Sequence, residues 1–273
     1  MINPSMVTVI IPHLGGTPES EYALSQCLLS LEETGWSAEN IIVSVNGEKC
    51  EEHYPNVKID VQGQCKAVNA AVATVNTPWI FVTNDDMVYA PQWWEKLIAL
   101  MNDDVLCVSP KLIEPRPGAP TFEVYFCGGA GGDFDKQKWL DFAKSYPNQV
   151  PTLRTGFNLP FLIRKDLWDL IGGYDITYDP FSSNSDSDLE YKIRLAGVQP
   201  YQNTASIVYH FGMTSGTALP ENRPYWEKNW HYFIEKWGFE RASTEQGIWT
   251  ADFEIPEDKL KFKPFWKDFY SKK

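Results

Sequence analysis

An α/β fold built on one mostly parallel sheet is predicted by three features of the chain. Apolar, β-branched runs occur at residues 6–11, 41–45 and 79–83, helical patterns lie between them, and polar or acidic residues cluster where the runs stop. In a sheet of this kind ligands bind beyond the carboxyl ends of the strands, where these polar residues fall.

The elements follow in order. Met6–Ile11 reads as a buried strand closed by Pro12 and the Gly15-Gly16 pair, and Leu24, Cys27, Leu28 and Leu31 then repeat at helical spacing, with Gly35 as the stop. Ile41–Val45 is the next strand, ending at Asn46-Gly47, and Val57–Val61 is a weaker one. The alanine-rich stretch Lys66–Val75 reads as a helix, and Trp79–Thr83 as a strand ending in Asn84-Asp85-Asp86. Pro91 opens a helix striped by Trp93, Trp94, Leu97, Ile98 and Met101, before a strand at Val105–Ser109. Residues 110–155, with Pro115, Pro117, Pro120 and the cluster Gly128–Gly132, read as long loops. The glycines lack the G-x-G-x-x-G spacing of a dinucleotide site.

The chain has 273 residues, enough for one large domain or two small ones. With 43% hydrophobic and 22% charged residues it is expected to fold as a globule. Its net charge of −12 has the wrong sign for a protein that neutralises phosphate backbones, so bulk nucleic-acid binding is not expected. Five cysteines (Cys27, Cys50, Cys65, Cys107 and Cys127) show no C-x-x-C spacing and read as reduced and buried. The start of the chain lacks a basic stretch ahead of an apolar one, and no run approaches the roughly 18 apolar residues of a membrane span. A cytoplasmic location is the expectation.

Three constellations carry candidate chemistry. Asn84-Asp85-Asp86 would project from a strand end, where carboxylates serve either as ordinary turn residues or as ligands of a hard divalent cation. Ser185-Asp186-Ser187-Asp188-Leu189, followed by Arg194, resembles a helix start. There Asp188 can pair with Lys192 one turn on, and a carboxylate held in a cleft can accept a proton from an attacking hydroxyl. His210 ends the β-branched stretch Val208-Tyr209, and it completes a metal shell only where the fold brings it to Asp86.

Taken in order, the motifs resemble glycosyltransferase family 2, a group of GT-A-fold, nucleotide-sugar-dependent and typically inverting enzymes. The resemblance spans about residues 6–238 and rests on seven segments. These are Val7–Pro12, Ile41–Gly47, Gly63–Asn69, Phe81–Asp86 in the place of a DxD region, Thr155–Phe157 with Ile163–Asp175, Ser185–Leu189 with Arg194, and His210–Thr214 with Lys236–Gly238. It implies a GT-A type fold with a single Rossmann-like sheet flanked by helices. A domain over 1–240 would divide into a nucleotide-binding half, 1–110, and an acceptor and base half, 111–240, ahead of a C-terminal helical and aromatic extension.

The same resemblance implies that Asp86 and His210 bind Mn²⁺ or Mg²⁺ and that Asp186 is the catalytic base. Pro12, His13, Asn46, Lys66, Asn69, Asn84 and Asp85 become donor contacts, and Gly156, Phe157, Asp188 and Arg194 acceptor or donor-sugar contacts. Three departures stand out: Asn84 replaces the first aspartate of DxD, Ser185 the usual glutamate, and Val45 an aspartate that often reads uracil. The implied reaction moves a sugar from a nucleoside diphosphate donor, a UDP-sugar ahead of others, to a saccharide or other hydroxyl acceptor. The alternatives are a nucleotidyltransferase making nucleotide sugars, although Pro12–Thr17 carries no Arg or Lys, and a non-catalytic carbohydrate- or nucleotide-binding module. The tail 241–273 is rich in lysines and aromatic residues, which leaves open either docking on the domain or peripheral contact with a membrane surface.

Overall fold

The computed structural model describes residues 2–46, 54, 56–59, 62–115, 123–212 and 220–237. Cys50, the end of the His210–Thr214 segment, Gly238 and the tail 241–273 lie outside the described residues.

The first half of the chain follows the predicted alternation. Strand β1 (Val7–His13) leads through a turn to helix α1 (Pro18–Glu33), then come β2 (Ile41–Val45), β3 (Asn56–Lys58), α2 (Gln64–Val72) and β4 (Trp79–Val82). Thr17 starts α1 because its hydroxyl accepts from the Ser20 backbone while the Ser20 hydroxyl accepts from the Thr17 N–H, a reciprocal cap backed by Pro18. Strands β3, β2, β1 and β4 lie side by side and parallel.

Beyond β4 the topology departs from simple alternation. The chain runs through β5 (Met87–Tyr89), α3 (Trp93–Ile98), β6 (Cys107–Glu114), β7 (Glu123–Val124), α4 (Lys136–Ser145), β8 (Leu153–Thr155), β9 (Phe161–Arg164) and α5 (Lys165–Ile171). It then forms α6 (Ser185–Leu195), β10 (Tyr201–His210) and α7 (Arg223–Trp237). The sheet order is β3-β2-β1-β4-β9-β6-β10-β5, with β7 on β6 and β8 on β10. Strand β9 enters antiparallel between β4 and β6, and β10 pairs parallel with β6 but antiparallel with β5 and β8, giving a mostly parallel but mixed sheet. Since a second-half strand divides β4 from β6, the halves 1–110 and 111–240 share one sheet.

Two readings of the middle region are corrected. The strand expected to stop at Ser109 runs on through Pro110 to Glu114. Proline has no N–H for the ladder, and here it sits beside the break in the β6–β10 register between Asn203 and Ile207. The stretch expected as loop contains α4, capped by the Asp135 side chain on the Lys138 N–H and anchored by buried Trp139 and Ala143.

Alternation along the strands splits the core. Val7, Val9, Ile11, Phe81 and Leu162 meet α1 and α3 on one face, while Ile10, Ile80, Val82, Phe161 and Ile163 meet residues of α2, α5, α6 and α7 on the other. Cys27, Cys65, Cys107 and Cys127 are free thiols inside this packing. Among the described residues no helix is long and apolar enough to cross a membrane.

A buried charge cluster ties α7 to α6. Lys236 Nζ lies 2.6 Å from Asp175 Oδ2 and 2.7 Å from Asp188 Oδ1, and Asp188 also accepts from Trp237 Nε1 at 2.8 Å and Tyr178 Oη at 3.2 Å. Burial works against the Asp175 carboxylate, yet the Lys236 ammonium and the Thr177 N–H hold its pKa well below the usual range. Lys236→Met would leave buried negative charge without its counter-ion, at an expected cost of about 3–5 kcal/mol in denaturant unfolding. The Asp175 pKa is depressed on folding, so its contribution is present above about pH 4 and is lost as pH falls further. Acid titration of the wild type followed by circular dichroism should therefore show a loss of stability that Asp175→Asn weakens.

Candidate functional site

The carboxyl ends of β1, β2 and β4 open into a cleft of about 570 Å³. Its walls include Pro12 and His13 from β1, Asn46 after β2, Asn84, Asp85 and Asp86 after β4, Gln62 and Gln64 at the start of α2, and Pro180 and Phe181 from the loop before α6. Five of the seven expected donor contacts thus line one open cleft together with Asp86.

Several of these groups hold one another. His13 is almost fully buried, with Nδ1 2.7 Å from Asp85 Oδ2. Burial raises the Asp85 pKa, an effect opposed by the bond to His13. The Asn46 amide, oriented by its neighbours, donates to the His13 carbonyl at 2.8 Å and accepts from the Gly63 N–H at 3.1 Å, joining three loops at the cleft floor. Asn84 Oδ1 accepts from Gln64 Nε2 at 2.9 Å, so the asparagine in the DxD position anchors the start of α2.

Asp86 and His210 meet because of strand pairing. His210 ends β10 opposite Met87 of β5, Tyr209 pairs with Ile113 of β6, and the Phe211 N–H donates to the Asp86 carbonyl at 3.0 Å. The imidazole therefore lies between two carboxylates, with Nε2 3.3 Å from Asp86 Oδ2 and Nδ1 2.7 Å from Glu114 Oε1. Burial pushes its pKa down, but Asp86 and Glu114 outweigh that and raise it to about 10. Glu114 was not anticipated from sequence. The available signal was an acidic residue ending an apolar strand just before Pro115.

The donor set at Asp86 and His210 fits a hard divalent cation, which takes carboxylate oxygen and imidazole nitrogen. Adjacent ligands of a six-coordinate cation with bonds of about 2.1 Å stand about 3 Å apart, close to the 3.3 Å seen here. Glu114 occupies the far nitrogen and orients the ring, as carboxylates commonly do behind metal-binding histidines. Among the described residues no group of three or more His, Cys, Asp or Glu side chains is disposed to hold a metal by itself.

Asp186 lies outside the cleft lining, in the first turn of α6 five residues after the wall residue Phe181; it is partly open to solvent, whereas Ser185, Ser187, Asp188 and Leu189 are buried. Tyr174 Oη donates to Asp186 Oδ1 at 2.8 Å. Burial, reinforced by the Asp186 charge, raises the Tyr174 pKa well above that of a free phenol, so the hydroxyl keeps its proton and remains a donor.

Six expected contacts have other partners. Asn69 donates to the Tyr174 carbonyl at 2.8 Å and accepts from its N–H at 3.0 Å, and so clamps the loop that carries the tyrosine. Lys66 also lies away from the cleft lining, and its N–H donates to Asp179 Oδ2 at 3.1 Å. Phe157 is wholly buried against Phe161, and the N–H of buried Gly156 donates to the Pro200 carbonyl at 3.2 Å. Asp188 belongs to the Lys236 cluster, with Lys192 Nζ 3.9 Å from its second oxygen, and Arg194 pairs with buried Glu190 of its own helix at 2.7 Å.

The start of α2 is capped from a distance. The Asp179 carboxylate accepts from the N–H groups of Cys65 at 3.0 Å and Lys66 at 3.1 Å, where the helix dipole favours negative charge. Gly63, at φ +155°, makes room for it, since a Cβ there would lie 2.4 Å from the carboxylate. Gly63→Ala should displace this cap and disturb Asn46, with an expected stability loss of about 1–3 kcal/mol in thermal or urea unfolding. Asp179→Ala should cost a similar amount by freeing the same donors.

Comparison with known proteins bears on the fold. The model of glycosyl transferase family 2 matches residues 8–123, which hold β1 to β6 and the cleft side chains through Asp86. No curated protein matches the chain. Among solved structures, GalNAc-T7 with UDP, GalNAc and Mn²⁺ is similar over 96% of this chain and 54% of its own, with TM-score 0.58 and 15% identity. The mannosyltransferase PcManGT from Pyrobaculum calidifontis, in complex with GDP-Man and Mn²⁺, is similar over 98% of this chain and 70% of its own, with TM-score 0.53 and 16% identity. The chain thus spans about half the length of the first of these, and at such identities the likeness speaks for the fold. Over residues 8–123 the chain is similar to glycosyl transferase family 2, and its mixed α/β fold is that of the GT-A enzymes.

Proposed function

We propose that this protein transfers a sugar from a nucleoside diphosphate donor to a hydroxyl acceptor, with inversion at the anomeric carbon. The observation that carries the reading is the meeting of Asp86 and His210, 3.3 Å apart and brought from residues 124 positions distant, beside a cleft lined by the ends of β1, β2 and β4. The Mn²⁺ and nucleotides bound in the similar structures support a divalent cation and a nucleotide-linked sugar here too.

The cleft takes the nucleotide against Pro12, His13 and Asn46, with the diphosphate directed toward Asp86. Asp86 and His210 would hold a Mn²⁺ or Mg²⁺ ion. Bound there, it would supply positive charge to the departing diphosphate, an effect worth several kcal/mol in a site that excludes water. Glu114 keeps the His210 ring in place through Nδ1.

Asp186 accepts the proton of the acceptor hydroxyl as the acceptor oxygen bonds to the anomeric carbon and the bond from that carbon to the diphosphate breaks. Tyr174 holds the Asp186 carboxylate in one orientation, and the start of α6 favours its negative charge. One displacement with the base opposite the leaving group inverts the configuration.

Asp186→Asn should slow transfer by about 10²–10⁴-fold while leaving Mn²⁺-dependent binding of the nucleoside diphosphate near wild type in calorimetry. Unchanged turnover in that variant would remove Asp186 from the role of base. Proton NMR of the product should show the anomeric configuration opposite to that of the donor, and retention would reject a single displacement. A thermal-shift panel of UDP, GDP and other nucleoside diphosphates with Mn²⁺ should raise the apparent stability for the donor's own base, with UDP expected to lead.

A further inference from the structure

Two large aromatic side chains on α7 are partly exposed. Tyr225 is 41% exposed and Trp226 46%, whereas Phe233 and Trp237, two to three turns further along the same helix, are fully buried. The local fold fixes which way the first two face. Asn229 is buried and donates to the Tyr178 carbonyl at 2.6 Å and to Ser183 Oγ at 3.2 Å, so its side of α7 lies on the loop from residue 178 to 183. Residues three and four positions earlier share that side, which places Trp226 and Tyr225 one turn beyond the loop's edge.

The loop beneath them also forms a wall of the cleft. Phe181 lines the cleft with Pro180, and its ring meets Tyr225 edge-on with centroids 5.1 Å apart. Five residues after Phe181 comes Asp186. One aromatic side chain thus faces both the cleft and a pair of partly exposed rings, on the loop that leads directly into the proposed base.

We infer that Phe181, Tyr225 and Trp226 form the acceptor subsite, a shelf on which a saccharide lays the apolar C–H face of a pyranose ring. This rests on the transfer reading above and names the acceptor class for the same site. Flat rings with one polar edge suit a ligand that has an apolar face and a hydroxyl rim. The surroundings match such a rim, since the exposed Arg223–Glu227 ion pair flanks the rings and offers both donors and acceptors to hydroxyl groups. The patch is a few side chains wide, enough for one or two sugar rings, and a net charge of −12 opposes docking on an anionic membrane.

The test uses the full chain on a printed array of neutral oligosaccharides, in the presence of Mn²⁺ with UDP or GDP. The wild type should capture a subset of glycans. Tyr225→Ala and Trp226→Ala should each weaken capture at least threefold, and together about tenfold or more, with nucleotide binding by calorimetry unchanged. Tyr225→Phe and Trp226→Phe should retain capture, whereas Tyr225→Leu, equally apolar but not flat, should lose it. Phe126→Ala, at an exposed aromatic residue outside the cleft lining, should have no effect. Capture that is unaffected by the alanine variants, or preserved by leucine, or absent in the wild type while nucleotide binds, would overturn the shelf and leave the transfer reading standing. A wild type that binds no nucleoside diphosphate with Mn²⁺ would overturn both.

Discussion

The pairing of β10 with β5 on one side and β6 on the other is the constraint on which the site depends. Backbone hydrogen bonds in this ladder set the register that brings His210 beside Met87 and, one residue past the Tyr209–Ile113 pair, against Glu114. A slip of one residue would send the imidazole to the other face of the sheet and separate it from both carboxylates. The side chains do not have to find each other, because the strands deliver them. The remaining work is electrostatic, since two buried carboxylates stand close together and the ring between them offsets their repulsion.

The second organising feature is the way the loop between α5 and α6 is fastened onto α2. The Asp179 carboxylate caps the helix, Gly63 clears space for it, and the Asn69 amide grips the backbone of Tyr174 by both its donor and its acceptor. Each contact joins a segment of the first half of the chain to the loop carrying the wall residue Phe181 and leading to Asp186. Tyr174, gripped in this way, bonds to Asp186, so the position of the proposed base is set partly by a helix more than a hundred residues earlier in the chain. Residues that look like ligand contacts in the sequence thereby act as the frame that positions others.

Legibility in the sequence followed the range of the forces involved. The strands β1, β2 and β4 were readable because alternation and β-branching are local, and Asp86 and His210 were readable because both close apolar runs. Helix α4 was missed because the prolines and glycines around it dominate the composition, while its buried face is held by only Trp139 and Ala143. Glu114 was missed because its partner is 96 residues away and nothing near it in the chain signals a histidine. Asp186 and Asp188 are the clearest case, being two positions apart on one helical turn and chemically identical. Helical geometry sends them to different sides, one toward solvent and Tyr174, the other into the interior against Lys236 and Trp237.

By itself the sequence determined the periodic elements, the acidic balance of the chain and the placing of its polar groups at strand ends, because each depends on residues within a few positions of one another. Tertiary structure decided the insertion of β9 between β4 and β6, which of two neighbouring carboxylates remains accessible, and the diversion of Asn69, Asp188 and Arg194 to internal partners. Those outcomes depend on which distant surface covers a side chain. Burial and unpaired charge have free energies that are fixed only when the covering surface is in place.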